Sequence, residues 1–570
     1  MRVTNNMIMK NASSNIYGTK DIVNSRNTQM TTQKRINKPS DDPVIAIRSL
    51  RLSTTLSKVN QYYQKNIPDA QSWLDVTETA LINIKELMTD ARTLAVNGST
   101  DTLTQTDRNT ILTQLEKLQQ SMFHEGNADY AGRTVFTGYR TDKELVFSEK
   151  EDLTSYNITQ EFTADDLATH RYYYGDVEIP TSPSEAQLNA GKREPDPNDP
   201  DDIPVPISDI QKAEYYRIRL AYDGVEELKD ENGNSKASIS FAKKEYDGNF
   251  SPGFLEPVVF YYDTIDDWAA DTDMGFKSKT LTNPDTCACV FIRKTGEVIY
   301  SQALVDELKE NNAIIKVDYT KAGFDEGDLR PEYYYNCVKT YDGPTSSDKD
   351  IEYKKFATVE TTDVDANGDP TGESSSKINN FKDSTLADPQ IHFDIEYTVA
   401  ENQTVIVNTE ASEVFDTSIQ RDIGEMILVV KKSIAAHEKI DTIKLMKDEA
   451  QYASDASQEA LDLYLAAAQK EADFIDNDLQ KLFSSEIGAI DTYLAKVNLG
   501  ITNLGCVVDS LTLTEKRMNN QQETVQELQS KNDDVDLSQI IIDYTAAYTA
   551  YQSSLTAAGK LGQQTLLNYI

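Results

Sequence analysis

The stretch "KRINKPSDDPVIAIRSL", residues 34 to 50, interrupts a helical pattern that runs into it and out of it. Pro39 pushes Lys38 away from the right-handed helical region. Ser40, Asp41 and Asp42 each carry a side-chain oxygen able to cap orphan backbone N–H groups. Pro43 fits best at the first position of a new helix, where its missing N–H costs nothing. Asp42 is therefore the preferred cap and Ser40 its rival, and negative charge suits the positive end of a helix. The reading is a first helix that stops near Ile36 and a second that starts at Pro43. Such a capped turn occurs in many proteins, so its meaning comes from the segments on either side.

Upstream, Met9, Ile16, Val23 and Met30 recur every seven residues, with Ile8, Ile22 and Ile36 alongside. The residues between them are mostly Asn, Ser, Thr and Gln, which are mediocre helix formers. Such a helix is marginal alone and needs a partner, in its own subunit or in a neighbour. Downstream, Ile45, Leu52, Leu56, Val59 and Tyr63 share one face, as do Leu74, Leu81, Ile84, Met88 and Ala91. Ile111, Leu115, Leu118 and Met122 make a third stripe with the spacing of packed helices. Pro68 is expected to break or kink the helix around it. Asn97-Gly98 marks a stop before the third stripe.

The far end is helical again and almost free of proline. A seam of Leu537, Ile541, Tyr544, Tyr548, Tyr551, Leu555, Ala558, Gly562, Thr565 and Tyr569 steps by fours and threes to the end. That is a coiled-coil period. Between the helical ends the text changes. "EYYRIRLAYDG", "EPVVFYYD", "CACVFIRKTGEVIYS", "NAIIKVDYT" and "PEYYYNCVKTYDG" read as strands with turns, and "IHFDIEYTVAENQTVIVNT" as a hairpin. "KREPDPNDPDDIPVP" is an acidic, proline-rich linker without the spacing or glycine of a calcium loop.

The fold class expected is α+β and multidomain. Long terminal helices pair into a coiled-coil-like stem, and a mainly β outer region is inserted between them. The boundaries are 1–42 for an N-terminal assembly helix and turn, and 43–140 for an N-terminal stem. Residues 141–410 form the outer region, with room for two subdomains. Residues 411–530 form a C-terminal stem, and 531–570 a C-terminal assembly helix.

Charge sharpens this division. The chain of 570 residues has a formal net charge of −38, and residues 151 to 410 alone carry −29 of it. Phosphate backbones and anionic membranes repel such a chain, so neither nucleic acid nor membrane is an expected partner. No run of apolar residues is long enough to span a bilayer. The N-terminus lacks the apolar core of a secretory signal. Four cysteines, Cys287, Cys289, Cys337 and Cys506, have neither zinc-ligand spacing nor the density of a disulfide framework. His124, His170, His392 and His437 stand in unrelated contexts, and no nucleophile elbow, P-loop or dinucleotide fingerprint is present. No catalytic residue, metal ligand or cofactor is expected. Trp73 and Trp268 read as core or strand-face residues.

"KRINKPSDDP" after a polar N-terminal helix resembles the flagellin-like axial proteins of the bacterial flagellum, and its wording looks more like the hook-associated protein 3 family than like flagellin. "NIPDAQSWLDVTETAL", "GNADYAGRTVFTGYRTDKELVF", "IEYTVAENQTVIVNTEASEVF" and "DVDLSQIIIDYTAAYTAYQSSLTAAGKLGQQTLLNYI" extend the likeness over about 150 residues at each end. It is weak over residues 150 to 390. Pro68 departs from the family pattern, which runs an unbroken helix there. The resemblance implies a structural subunit, not an enzyme. It would form a ring with copies of itself between hook-associated protein 1 and the flagellin filament. It implies passage through the flagellar type III export apparatus with a cytosolic chaperone, without a cleaved signal, to the hook–filament junction outside the cell. The expected assembly interface is Met9, Ile16, Val23, Met30, Leu537, Ile541, Tyr544, Tyr548, Tyr551, Leu555 and Tyr569, with Pro39, Ser40, Asp42 and Pro43 forming the turn and cap. The rival readings are a flagellin filament subunit, an acidic secreted enzyme acting on glycans, and a cytosolic coiled-coil scaffold.

Overall fold

The computed structural model describes residues 5–100, 103–190, 211–227, 239–244, 250–252, 255, 257–276, 278, 280–283, 286–341, 351–353, 361–364, 370–375 and 394–563. The acidic linker within residues 192–206 and the seam positions Thr565 and Tyr569 lie outside them.

Four helices open the chain: α1 (Asn5–Thr32), α2 (Pro43–Gln61), α3 (Ile67–Gly98) and α4 (Gln105–Gly126). Four short ones follow: α5 (Pro183–Asn189), α6 (Ile265–Ala270), α7 (Gln302–Glu310) and α8 (Ala411–Val414). Three long helices close it: α9 (Ser418–Asp448), α10 (Asp455–Asp533, 79 residues) and α11 (Leu537–Gln563). The fold is α+β with helical ends and a sheet-bearing middle. It divides into two compact units, one of residues 1–72, 396–406 and 506–570, the other of residues 73–395 and 407–505.

Two expectations about the first helices need correcting. The first helix ends at Thr32, not near Ile36. Gln33 takes a positive φ of 56°, and the chain then pairs with residues 533–535 at the end of α10. Arg35 N–H donates to Asp533 O, and Val535 N–H to Gln33 O. Backbone groups that would have extended the helix are used there instead. Pro68 does not break its helix. A π-helical turn, Tyr62–Asn66, joins α2 to α3, and Ile67 N–H reaches back to Tyr62 O. A proline ring clashes with the carbonyl of the preceding turn, and the wider π turn makes room for it.

The middle begins with β1 (Asp129–Tyr130), β2 (Arg133–Thr134), β3 (Glu151–Thr163), β4 (Ala168–Tyr174), β5 (Gln211–Arg219), β6 (Val225–Glu227) and β7 (Ile239–Lys244). It continues with β8 (Phe250–Pro252), β9 (Val258–Tyr262), β10 (Ala288–Ile292), β11 (Glu297–Tyr300), β12 (Ile314–Phe324), β13 (Asn336–Tyr341) and β14 (Ile351–Tyr353). The pairs β15 (Thr361–Val364) with β16 (Pro370–Ser375), and β17 (Glu396–Ala400) with β18 (Gln403–Ile406), are hairpins.

A five-stranded sheet has the order β4-β5-β11-β10-β9, in which β9 and β10 run parallel. A seven-stranded antiparallel sheet has the order β14-β13-β3-β12-β7-β8, with β6 also on β12. Strand alternation assigns the cores. Cys289 and Phe291 of β10 and Val298 and Tyr300 of β11 share a core with Tyr156, Ile158, Val317 and Tyr319 of the larger sheet. Their neighbours Ala288, Val290, Ile292 and Ile299 point the other way, onto Trp268 and Phe276. A strand buried on both faces explains the unbroken apolar text of "CACVFI". "PEYYY" is not a strand: Pro331–Tyr333 form a 3-10 turn, and Tyr333 and Tyr334 are buried. A third core joins α9 and α10 through Ile440, Ile443, Leu461, Tyr464 and Ala468, with Val177 and Ala186 added from the segment after β4.

Candidate assembly interface

In the first unit the two chain ends pack against each other, α1 on α11. The half-buried residues of α1 are Ala12, Ile16, Thr19, Val23, Arg26, Gln29 and Met30. Those of α11 are Asp543, Tyr544, Ala547, Tyr551, Ser554 and Ala558, with Ile540 buried. Steps of three and four place each set along one stripe of its helix. Of the residues expected at the interface, Ile16, Val23, Met30, Tyr544 and Tyr551 lie on this internal seam.

The others do not. Met9 is 52% exposed, Leu537 46%, Ile541 47%, Tyr548 44% and Leu555 44%. At 100° per residue, Ile541, Tyr548 and Leu555 form their own line about 80° around α11 from the internal seam. The apolar face of α11 is therefore wider than its partner helix. Sequence periodicity merges the two lines because residues three and four apart alternate between them. Ile540, Ala547 and Ser554 were missed because small or off-register residues carry weak signal. A further exposed line, Val44, Ile47 and Leu50 on α2, was also missed. Its three-residue step is visible in the text.

The turn at residues 37–43 is held by side-chain caps. Asp42 Oδ1 accepts the N–H groups of Val44 and Ile45, with Pro43 at the first helical position. Asp41 Oδ2 accepts from Asn37 and Lys38. Lys34 Nζ lies 2.5 Å from Asp534 Oδ1. That hydrogen bond raises the Lys34 pKa and lowers the Asp534 pKa. Ser49 donates to Asp533, and Asn532 to Ile45 O. Ser40 makes no cap to α2.

The hairpin β17–β18 belongs to the same unit. Asn66, in the π turn, donates to Thr398 O, and Tyr397 Oη donates to Asp69. Gln403 reaches Thr514.

The second unit holds a buried ionic network. Arg217, on β5, donates to Glu297 at 2.6 Å and to both Glu425 oxygens at 2.7 Å. Arg219 pairs with Asp422 and Glu425 on α9. Tyr493 Oη donates to Asp422, and Tyr172 Oη to Glu297. The guanidinium groups, opposing a large desolvation effect, hold Glu425 down at about 2. His170 is 3.7 Å from Glu425. Burial, with Arg217 beside it, pushes its pKa down to about 3, so it stays neutral. A crevice of about 770 Å³ runs beside this network, with Arg219, Glu425, Lys432 and Asp478 in its wall.

Ser433, Asp476 and His437 also meet, but the arrangement is not that of a nucleophile and its base. Asp476 accepts from Ser433 at 2.6 Å, lies 2.8 Å from His437 and pairs with Arg108. The serine hydroxyl bonds the carboxylate instead of the imidazole. Among the described residues, no three His, Cys, Asp or Glu side chains are placed to hold a metal ion.

Comparison with known proteins places the two ends. Residues 3–141 match the bacterial flagellin N-terminal helical region, and residues 487–570 match the bacterial flagellin C-terminal helical region. The flagellar hook-associated protein 3 of Escherichia coli (strain K12) is 31% identical over 124 residues, 22% of this chain and 38% of that protein. That of Salmonella typhimurium (strain LT2) is 27% identical over 143 residues, 25% of this chain and 45% of that protein. The chain thus spans less than half the length of each of these curated relatives. A solved structure of hook-associated protein 3 from Legionella pneumophila is 10% identical with a TM-score of 0.27, over 84% of this chain and 97% of that one.

Proposed function

We propose that this flagellin-like chain is a structural subunit of the bacterial flagellum, joining the hook to the filament as a ring of copies of itself. The observation that carries the reading is the unspent apolar line of Ile541, Tyr548 and Leu555, on a helix inside the flagellin-type C-terminal region. Charge supports it. The chain as a whole is strongly acidic, yet α1 and α11 together carry only Lys10, Lys20, Asp21, Arg26, Asp543 and Lys560. Like copies can therefore bring these helices together without mutual repulsion, while the acidic middle keeps the subunits soluble.

In this reading the partners are hook-associated protein 1 on one side, flagellin on the other and the same chain laterally. An export chaperone and the type III export apparatus handle it before it reaches the hook–filament junction outside the cell. The chain performs no catalysis. Its interface includes Met9, Leu537, Ile541, Tyr548 and Leu555, and Tyr569 beyond the described residues.

The test is an in-frame deletion, with mass spectrometry of sheared, depolymerised flagella from the parent. The expected results are hooks without filaments, flagellin released into the medium, and a small fixed ratio of this chain to flagellin in the parent. Filaments that persist without it overturn the junction role. A ratio near that of a bulk filament protein makes it a flagellin instead.

A further inference from the structure

The two arginines of β5 are outnumbered. Arg217 and Arg219 satisfy Glu297, Glu425 and Asp422, all three nearly or fully buried. Two more carboxyl groups, Glu486 and Asp478 on α10, sit at the same seam, 7% and 9% exposed. Glu486 Oε2 is buried and accepts no hydrogen bond from the protein. The groups that act on Glu486 are Arg219 and Arg217 from β5 and Glu425 from α9, and Tyr493 of α10 feels its charge. Those that act on Asp478 are Glu425 and Lys432 from α9, Arg217 from β5 and Arg171 from β4; Tyr173 of β4 feels Asp478 in turn. The hydrogen bonds of Arg217 and Arg219 thus run to Glu297, Glu425 and Asp422, and Arg421 of α9 adds its charge to Glu297 and Glu425, which leaves Glu486 a buried carboxyl group with one oxygen unpartnered.

We infer that this seam is a proton-operated clamp: Glu486 and Asp478 hold protons while the β layer is fastened to α9 and α10, and their ionisation loosens it. An ionised Glu486 would leave a buried oxygen unpaired and would compete with Asp422 and Glu425 for Arg219. Asp478 lies in the wall of the crevice, so protons reach the seam from solvent. Burial, opposed by the arginines and assisted by Glu425, raises Glu486 from 4.5 to about 7. Burial and Glu425 raise Asp478 from 3.8 to about 6. Both groups bind protons more tightly folded than unfolded. Their contribution is complete below pH 4 and is lost as pH rises through 6 to 7. Outside the cell, mild acid would tighten the attachment of the β layer and mild alkali would relax it.

The general acidity of the chain also favours lower pH, so the test is a comparison of variants. Unfolding of the full-length chain is followed in urea from pH 4.5 to 8.5 for wild type, Glu486→Gln and Asp478→Asn. The wild-type unfolding constant is expected to rise relative to Glu486→Gln by about tenfold per pH unit between pH 4.5 and 7. Above pH 8 the two lines run parallel. Parallel profiles across the whole range overturn the clamp. Should Glu486→Gln fail to fold, the infrared carbonyl band of protonated carboxylic acid in the wild-type chain decides the matter. It is expected at pH 6 and lost by pH 8.5 with the helices intact, and its absence at pH 6 overturns the clamp.

Discussion

Helices α9 and α11 are of similar length and treat their apolar residues in opposite ways. The first, of 31 residues, buries twelve of them, including Asp422 and Ser433. The second, of 27 residues, buries Ile540 alone among those described. Yet α9 carries eleven charged residues and α11 two. The helix richer in charge is the one committed to its own subunit, because its charges pair with β5, with Glu116 of α4, with Glu471 and Asp462 of α10 and with Asp176 and Asp223, or are directed to solvent. The helix nearly free of charge keeps much of its apolar surface open. Within one chain, burial marks what folding requires. In the assembly proposed here, uncharged apolar surface left open is what folding leaves for a partner.

The sharpest way to break this contrast is to remove a charge from the committed side. Arg217→Ala leaves Glu297 buried without its guanidinium partner and Glu425 with Arg219 alone. Breaking a buried pair costs about 3–5 kcal/mol. Urea unfolding of the full-length chain reads the loss as a lower transition for the second unit. A loss under about 1 kcal/mol would mean that water replaces the arginine and that the seam is not a clamp.

A smaller effect is expected where helix α3 meets α10 inside the second unit. A Cβ at Gly98 would run into the ring of Phe483, and Phe483 is fully buried. Gly98→Ala therefore makes a buried ring or the helices themselves shift. Overpacking of this kind costs about 1–3 kcal/mol, readable as a drop in melting temperature. No matching cost is expected for Gly559→Ala on α11, where nothing lies within 4 Å.

The same contrast explains what the sequence could tell. The turn at residues 39–43 was legible because its chemistry is local: a proline, a carboxylate and a second proline leave few conformations. The hairpin at residues 396–406 and the β10–β11 pair were legible because β-branched and aromatic runs flank turn residues. Trp73 and Trp268 are fully buried, as their residue type suggested. The end of α1 was misplaced because its stop depends on pairing with residues 533–535, some 500 positions away. The π turn before Pro68 was invisible for a related reason, since the proline announces strain and not how the preceding backbone relieves it. Arg217, Arg219, Asp422 and Glu425 were illegible as a group. They lie about 200 residues apart in ordinary polar text, and only the packing of β5 on α9 makes them one object. The seam of α11 was half legible, because period shows an apolar face without showing how much of it the same chain covers.

A still smaller change tests the turn. Asp42→Ala removes the acceptor for Val44 and Ile45 N–H, an N-cap worth about 1 kcal/mol. Faster hydrogen exchange at residues 44 and 45, with protection in α9 unchanged, is the expected result. Ser40→Ala is expected to leave those amides as they were, which separates the cap from its sequence rival.

The smallest effect on the isolated chain is expected on the open side, and there the smallness is itself the point. Ile541 is 47% exposed, so Ile541→Asp places its carboxylate in water and costs the subunit less than about 0.5 kcal/mol. Tyr551→Asp, on the internal seam with α1, is the control: it puts charge between two packed helices and is expected to cost more. If the open line is reserved for neighbouring copies, Ile541→Asp abolishes filament attachment while the secreted subunit melts as wild type does. Desolvating the new carboxylate in a packed interface costs several kcal/mol at every copy of a ring, and nothing in the folded monomer records that cost. Normal swimming by cells carrying Ile541→Asp would show that α11's exposed line touches only solvent. The contrast between the committed and the open helix would then describe stability alone and not assembly.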